Sequence, residues 1–368
     1  MNENYDAIIV GARVAGSISA TLLAQQGHRV LLLDRAHFPS DTLSTHFFRA
    51  PSLRAFQRIG SLDEVLATAP HLVTDYNVVD GIVFPEPVTE PDDFPFYMCV
   101  RRITLDDILI QRAKREAGID LHERAKVDGL LREGEQIVGV RWNENGNTHE
   151  ARARVVIGAD WIHSFVAREV QPQVEREEPV NRAMYYAYYR GIEPKDSPAA
   201  EFHFRGNHLA YVFPCDGGLT LTAISVPIAE FRNFKRDPQG QLFAELQAMS
   251  DLAPRLGKAE REGPVRGTGS IPGYLRIPYG SGWALVGDSA MVMDPWSGQG
   301  IDQASTHAVF LADQIDAFLS NTLEWETAMR KYHELRNEFS EKTFLRTCTY
   351  GRDLTPMTKQ ALVRRGLV

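Results

Sequence analysis

Val10-Gly11-Ala12-Arg13-Val14-Ala15-Gly16 follows a short apolar run and opens a segment rich in Ala, Leu and Ser. Free amides at such a helix start, with the helix dipole behind them, suit a pyrophosphate. Asp34, eighteen residues beyond Gly16, closes the next apolar run. A carboxylate there accepts hydrogen bonds from a ribose diol. Arg13 stands where the middle glycine of the pattern is expected, and either pairs with a phosphate through its guanidinium or points to solvent. A tight strand-to-helix turn that holds no ligand uses the same residues.

A second set lies late in the chain. Ala284-Leu285-Val286-Gly287-Asp288 reads as a strand ending at Gly287, and Asp294-Pro295-Trp296-Ser297-Gly298-Gln299-Gly300-Ile301 follows. Asp288 is placed to accept from a ribityl hydroxyl. Gly298 and Gly300 let backbone amides approach a flavin ring or a phosphate at the start of a long helix. The alternative is a glycine-rich loop with a helix cap.

The elements that must position these residues follow from periodicity. Ala7 to Val10, a helix over Ala15 to Gln26 and Val30 to Leu33 make a βαβ start, with strands apolar throughout as in a covered parallel sheet. Short helices are expected over Pro51 to Ile59 and Ser61 to Ala67, and a longer one over Leu105 to Ala117. Strands follow from Gly118 and near Val127 to Leu131, Ile137 to Trp142 and Arg154 to Ile157, with a hairpin at Asn145-Gly146. The proline-rich stretch 76–97 reads as β-structure or loops. Met184 to Arg190, Glu201 to Phe204, Leu209 to Phe213 and Leu219 to Val226 alternate or are aromatic, as in an antiparallel sheet. Phe231 to Met249 and the stretch after it read as helical. Trp283 to Val286 returns as a core strand, Ile301 to Leu319 as a long helix, and 322–347 as a polar helical tail.

The 368 residues carry a net charge of −8 and no basic run, which argues against nucleic acid or an acidic membrane as the main partner. Three scattered cysteines, Cys99, Cys215 and Cys348, form no CxxC and fit a reduced, cytoplasmic setting without metal chemistry. The chain enters a strand almost at once. It shows neither a signal peptide nor an apolar stretch long enough for a membrane span.

The two glycine motifs, with Gly158-Ala159-Asp160-Trp161-Ile162-His163-Ser164-Phe165-Val166-Ala167-Arg168 between them, resemble the group A flavoprotein monooxygenases. These have a p-hydroxybenzoate hydroxylase-like fold, and the geranylgeranyl reductases and halogenases are their cousins. Asp34-Arg35, Asp41-Thr42-Leu43-Ser44-Thr45-His46 and Arg101-Arg102 resemble a bacterial subgroup. The likeness runs from residue 6 to about 320. It implies an α/β fold: a Rossmann-type FAD-binding domain, an inserted antiparallel β-sheet substrate domain and C-terminal helices. The corresponding bounds are 1–75, 98–171 and 276–320 for the FAD-binding domain, 76–97 with 172–275 for the substrate domain, and 321–368 for the tail.

The resemblance also implies roles. Gly11, Ala12, Arg13, Ala15 and Gly16 would hold the FAD pyrophosphate, and Asp34 the ribose, with Arg35 beside the adenine. Thr45, Arg101, Asp160 and Gly287 would lie along the dinucleotide, and Asp288 at the ribityl chain or pyrophosphate. Pro295, Gly298, Gln299, Gly300 and Ile301 would line the ring. Three departures stand out: Arg13 removes a glycine, Trp161 takes the glycine place of the middle motif, and Met291 sits where many hydroxylases carry a His. No second GxGxxG follows a strand, so NADPH or NADH would bind transiently, or a separate reductase would supply electrons.

The activity implied is hydroxylation of a small or medium apolar or aromatic molecule through a flavin C4a-hydroperoxide, with the protein supplying a dry pocket. His46 is a candidate base for a phenol, or else a capping or polar loop residue. Tyr186, Tyr211, Phe213 and Trp296 are candidate pocket residues. Tyr186 alternatively packs in the sheet, and Trp296 alternatively sits on a surface loop. No Trp-x-Trp-x-Ile-Pro of the halogenase branch is present. Leu209-Ala210-Tyr211-Val212-Phe213-Pro214 half matches the prenyl-reductase segment Tyr-x-Trp-x-Phe-Pro. A reductase or dehydrogenase of an isoprenoid-like substrate is therefore the alternative activity. A flavin-binding accessory protein without turnover is a third.

Overall fold

A computed structural model describes residues 3–89 and 93–368. Met1-Asn2 and the part of the proline-rich stretch at 90–92 lie outside the described residues. One sheet has eight strands. Trp283–Leu285, Asn147–Gly158, Glu3–Val10, Val30–Asp34 and Ile119–Glu123 lie side by side in that order, all parallel. The first strand shows why. Ala7 and Ile9 enter one apolar core, while Tyr5, Ile8 and Val10 enter another on the opposite face. A strand buried on both sides needs apolar residues at every position, which is what 7–10 and 30–33 supply. Helices Val14–Gln25 and Gly300–Leu319 pack together on one face, and helix Trp325–Arg352 lies against the second of them.

Asn147–Gly158 is longer than the strand expected at 154–157. Its outer part pairs antiparallel with Gln136–Glu144 through the Asn145-Gly146 turn, and its inner part runs parallel to the first strand. Alternation is lost in the polar run Asn147 to Glu150, so only the buried half is apparent in the sequence.

A second sheet of seven strands orders Glu260–Thr268, Arg182–Arg190, Thr220–Pro227, His208–Pro214, Ala199–Arg205, Thr74–Val79 and Ile82–Pro87. The tyrosine run alternates as a strand must: Met184 and Tyr186 enter one cluster, Tyr185 and Tyr189 the other. Helices Phe231–Arg236 and Pro238–Ala248 cover the second face. The stretch after them was expected to be helical and is instead the edge strand Glu260–Thr268. Its charges, Gly263 and Pro264 hide any period of two, and an edge strand tolerates such residues because one side pairs with nothing.

Two features have no counterpart in the sequence reading. Val174–Glu178, Gly273–Arg276 and Met291–Val292 form a third, three-stranded sheet. The helical tail is also a packing element. Tyr332, Arg336 and Phe344 of Trp325–Arg352 are fully buried, and Leu354 and Leu362 join the aromatic cluster of the seven-stranded sheet. Among the described residues no helix is long and apolar enough to cross a membrane.

Candidate active site

A cleft of about 1140 Å³, counted out to bulk solvent, opens where the parallel strands end. Ligands of open α/β sheets bind at such strand ends. Val14 and Ala15 line it beside Ala159 and Gly287-Asp288; Pro295, Gly300 and Ile301 line it from the late loop. The two motifs, far apart in sequence, therefore border one cavity.

The opening turn is built by backbone contact. Gly11 has φ +102°, and a Cβ there would lie 2.3 Å from the Ala159 carbonyl oxygen. A Cβ on Gly16 would lie 1.7 Å from the Gly11 oxygen. Both glycines are thus required by the turn itself. No side chain caps helix Val14–Gln25, and no acid sits in its first turn. Its dipole and first amides face the cleft without a protein acceptor from a side chain.

Asp34 locks this turn. Its buried carboxylate accepts from the Ala12 amide and the Ala36 amide, each at 2.7 Å. Asp34 and the exposed Arg35 lie off the cleft wall. Arg13 meets neither of its expected fates. It pairs with buried Asp106, donates to the Ser40 carbonyl and hydroxyl at 3.1 Å each, and lies over the Phe38 ring while still lining the cleft.

Asp288 is the carboxylate with most to offer a ligand. It lines the cleft, and among the described residues no protein group donates to its side chain. Burial pushes its carboxyl up to about 6, opposed by nearby Arg102. Asp294, on the same wall, is also raised to about 6 by burial, with the Trp296 amide bond acting against the rise. A raised carboxyl without a donor is relieved by a hydroxyl that supplies one.

Several expected residues are placed otherwise. Arg101 turns away from the cleft and binds Asp216 through Nε at 3.0 Å and its own amide at 2.8 Å. The neighbouring Arg102, held by Asp106 at 2.9 Å, lines the cleft instead. One helical residue of rotation separates the two, which the dipeptide cannot reveal. Asp160 spends its oxygens on Ser164, Ser289 and the Phe165 amide, holding the start of the short helix Phe165–Val170. Its neighbours Ala159 and Trp161 reach the cleft. Trp161 has φ +75°, the glycine-favouring conformation that its place in the motif demands. Thr45 lines the cleft; Gly298 and Gln299 do not. Gly298 sits at φ +61° against Phe47, and its carbonyl accepts from Arg49.

His46 is neither a base nor a polar loop residue. It is fully buried off the cleft wall, its Nε2 is 2.8 Å from the Tyr188 hydroxyl, and its ring meets Tyr186 edge-on. Burial, reinforced by Arg102, lowers its pKa to about 3. Such a ring stays neutral and takes up protons poorly near pH 7.

Tyr186, Tyr211, Phe213 and Trp296 do come together, but as filled core. Phe213 stacks on Phe47 at 4.7 Å, the Tyr211 hydroxyl donates to the Trp296 carbonyl, and Trp296 Nε1 donates to the Thr347 carbonyl at 2.9 Å. None of the four lines the cleft, and Trp296 is no surface residue. Met184, at the head of the tyrosine run, is the strand residue that reaches the cleft. Ile271, Met293 and Gln303 also line it and carried no signal in the sequence. Ile271 is brought there by the unforeseen three-stranded sheet.

This arrangement has known counterparts. Digeranylgeranylglycerophospholipid reductase 1 of Methanococcoides burtonii is 24% identical over 91% of this chain and 80% of its own. The myxobacterial chondrochloren halogenase CndH superposes with a TM-score of 0.85 at 23% identity, covering 93% of this chain and 81% of that one. PqsL of Pseudomonas aeruginosa, described as a probable FAD-dependent monooxygenase, gives 0.76 at 22% identity over 96% of each chain. The fold is thus that of FAD-dependent halogenases and monooxygenases. A family model described as FAD binding domain matches residues 4–188, half of the sequence, and the chain belongs to this family as an FAD-dependent oxidoreductase.

Proposed function

We propose that the protein is a monooxygenase that hydroxylates a small or medium apolar molecule, aromatic or polyketide-like. One observation carries this reading: the cleft runs unbroken from the uncapped helix and Asp288 to an apolar end formed by Leu43, Met184, Ile271 and Met293. In this reading the amides of Val14 and Ala15 hold the pyrophosphate and Asp288 accepts from a flavin-chain hydroxyl. Pro295, Gly300 and Ile301 border the ring. Bound FAD, once reduced, supplies electrons to O₂. The protein's part is to seat the substrate against Met184 and Ile271 and to keep water from the apolar end. With His46 neutral and buried, the reading assigns no protein base to the substrate.

NADH or NADPH is the proposed transient donor, with a separate reductase as the other source. Trp161 at the cleft wall leaves less room for a second dinucleotide than a glycine would. The three cysteines are free and buried, in keeping with a cytoplasmic setting.

Reduction of an isoprenoid-like substrate is the second reading. It is favoured by the archaeal reductase relative, whose likeness spans most of this chain, and by the same apolar lining. Turnover of candidate substrates with NAD(P)H under ¹⁸O₂ and without oxygen separates the two. Label in the product, and no product without oxygen, is expected. Anaerobic formation of a saturated product would overturn the monooxygenase reading in favour of the reductase.

A further inference from the structure

A buried hydrogen-bond chain leads from the long C-terminal helix into the cleft. His307 Nε2 lies 2.7 Å from Ser340 Oγ, and Ser340 Oγ lies 2.5 Å from Gln303 Oε1. His307 and Ser340 have no exposed surface, and Gln303 is 5% exposed, where it lines the cleft. The direction of the chain can be derived. Burial, with Arg336 adding to it, lowers the His307 pKa to about 3, so the ring is neutral and has one N–H. Nδ1 has no partner. A buried N–H without an acceptor is rarer than an unused lone pair, so the proton sits on Nε2 and is given to Ser340. The Ser340 hydroxyl proton then goes to Gln303, which must receive it on Oε1. The Gln303 amide is thereby fixed with its NH₂ turned from Ser340.

Gln303 is three residues into helix Gly300–Leu319, on the face shared with Gly300 and Ala304, both cleft residues. Ala304 packs near Gly287, which in turn approaches Ala15, so this face borders the dinucleotide half of the cleft and not its apolar end.

We infer that Gln303 is a cofactor-binding residue: its amide donates to an oxygen acceptor of the bound FAD, a phosphate or a ring carbonyl, with Ser340 and His307 as positioning residues that hold the amide in that sense. The inference rests on the FAD reading of the cleft. Gln303→Met keeps the shape and removes the donor. Ser340→Ala leaves the donor but releases its orientation. Apoprotein of each is titrated with FAD, riboflavin and ADP by fluorescence, and its unaided melting is recorded. A rise in the FAD Kd of about tenfold for Gln303→Met and about threefold for Ser340→Ala is expected, with Gln303→Met apoprotein melting as the wild type does. Weakened ADP binding assigns the acceptor to the pyrophosphate; weakened riboflavin binding assigns it to the ring. If Gln303→Met does not fold, Ser340→Ala decides alone. Unchanged FAD affinity in the folded variants overturns the inference, whereas wild-type protein that takes up no FAD overturns the cofactor reading beneath it.

Discussion

Asp288 shows how one carboxylate couples binding to stability. Its carboxyl is raised to about 6 by burial, above the unfolded value near 4. Below about pH 4 it is protonated folded and unfolded alike, and has no effect on stability. As pH rises from about 4 through 6, the unfolded chain ionises first and the folded apoprotein loses stability. Asp288→Asn removes that loss. Its apoprotein is expected to match the wild type at pH 4 and to exceed it by about 1–2 kcal/mol at pH 7.5 in urea unfolding. The same substitution is expected to raise the FAD Kd about tenfold or more, because the acceptor for a flavin-chain hydroxyl is gone. Equal stability at both pH values would show that the group is not held in this environment. At this scale the sequence was readable wherever the backbone dictates the residue. Gly11, Gly16 and Gly287 are fixed by close approach, and the motif spacing records it. It was silent where side-chain rotation decides, as between Arg101 and Arg102, or where burial decides, as for His46.

Among the elements, the segment 38–45 is held by a residue outside it. Arg13, at the head of helix Val14–Gln25, reaches Ser40 and Asp41 and shares buried Asp106 with Arg102. Arg13→Ala leaves Asp106 with one cation in place of two and frees the loop that carries Thr42 to Thr45. A loss of about 1–3 kcal/mol in unfolding free energy is expected, together with faster proteolysis within 38–45 by limited digestion. A variant as stable and as resistant as the wild type would mean the arginine is dispensable to the loop. The parallel strands were legible because double-sided burial leaves unbroken apolar runs. The alternating Met184 to Arg190 strand was legible by its period. The edge strand Glu260–Thr268 and the three-stranded sheet were not. Their residues are polar, short or glycine-bearing, and long-range pairing specifies them more than local preference does.

Over the whole molecule, the late loop ties three bodies together. Trp296 takes the Tyr211 hydroxyl on its carbonyl and gives its ring N–H to Thr347 on the long C-terminal helix, while Arg49 binds the Gly298 carbonyl and buried Asp302. Trp296→Phe keeps the ring and removes the clasp to Thr347. We expect it to lower unfolding free energy by about 1–2 kcal/mol and to speed FAD release in stopped-flow dilution. Release at the wild-type rate would mean that the helix does not hold the loop.

The plugged interior beside the cleft has a consequence of its own. Phe47, Tyr186, Tyr211 and Phe213 occupy the room that a bulky guest needs. A narrow repertoire of guests follows from stuffing of this kind, and trimming one ring toward alanine would enlarge the chamber without touching the dinucleotide's seat. Kindred chains that carry smaller residues at these four positions would be the ones to accept larger molecules.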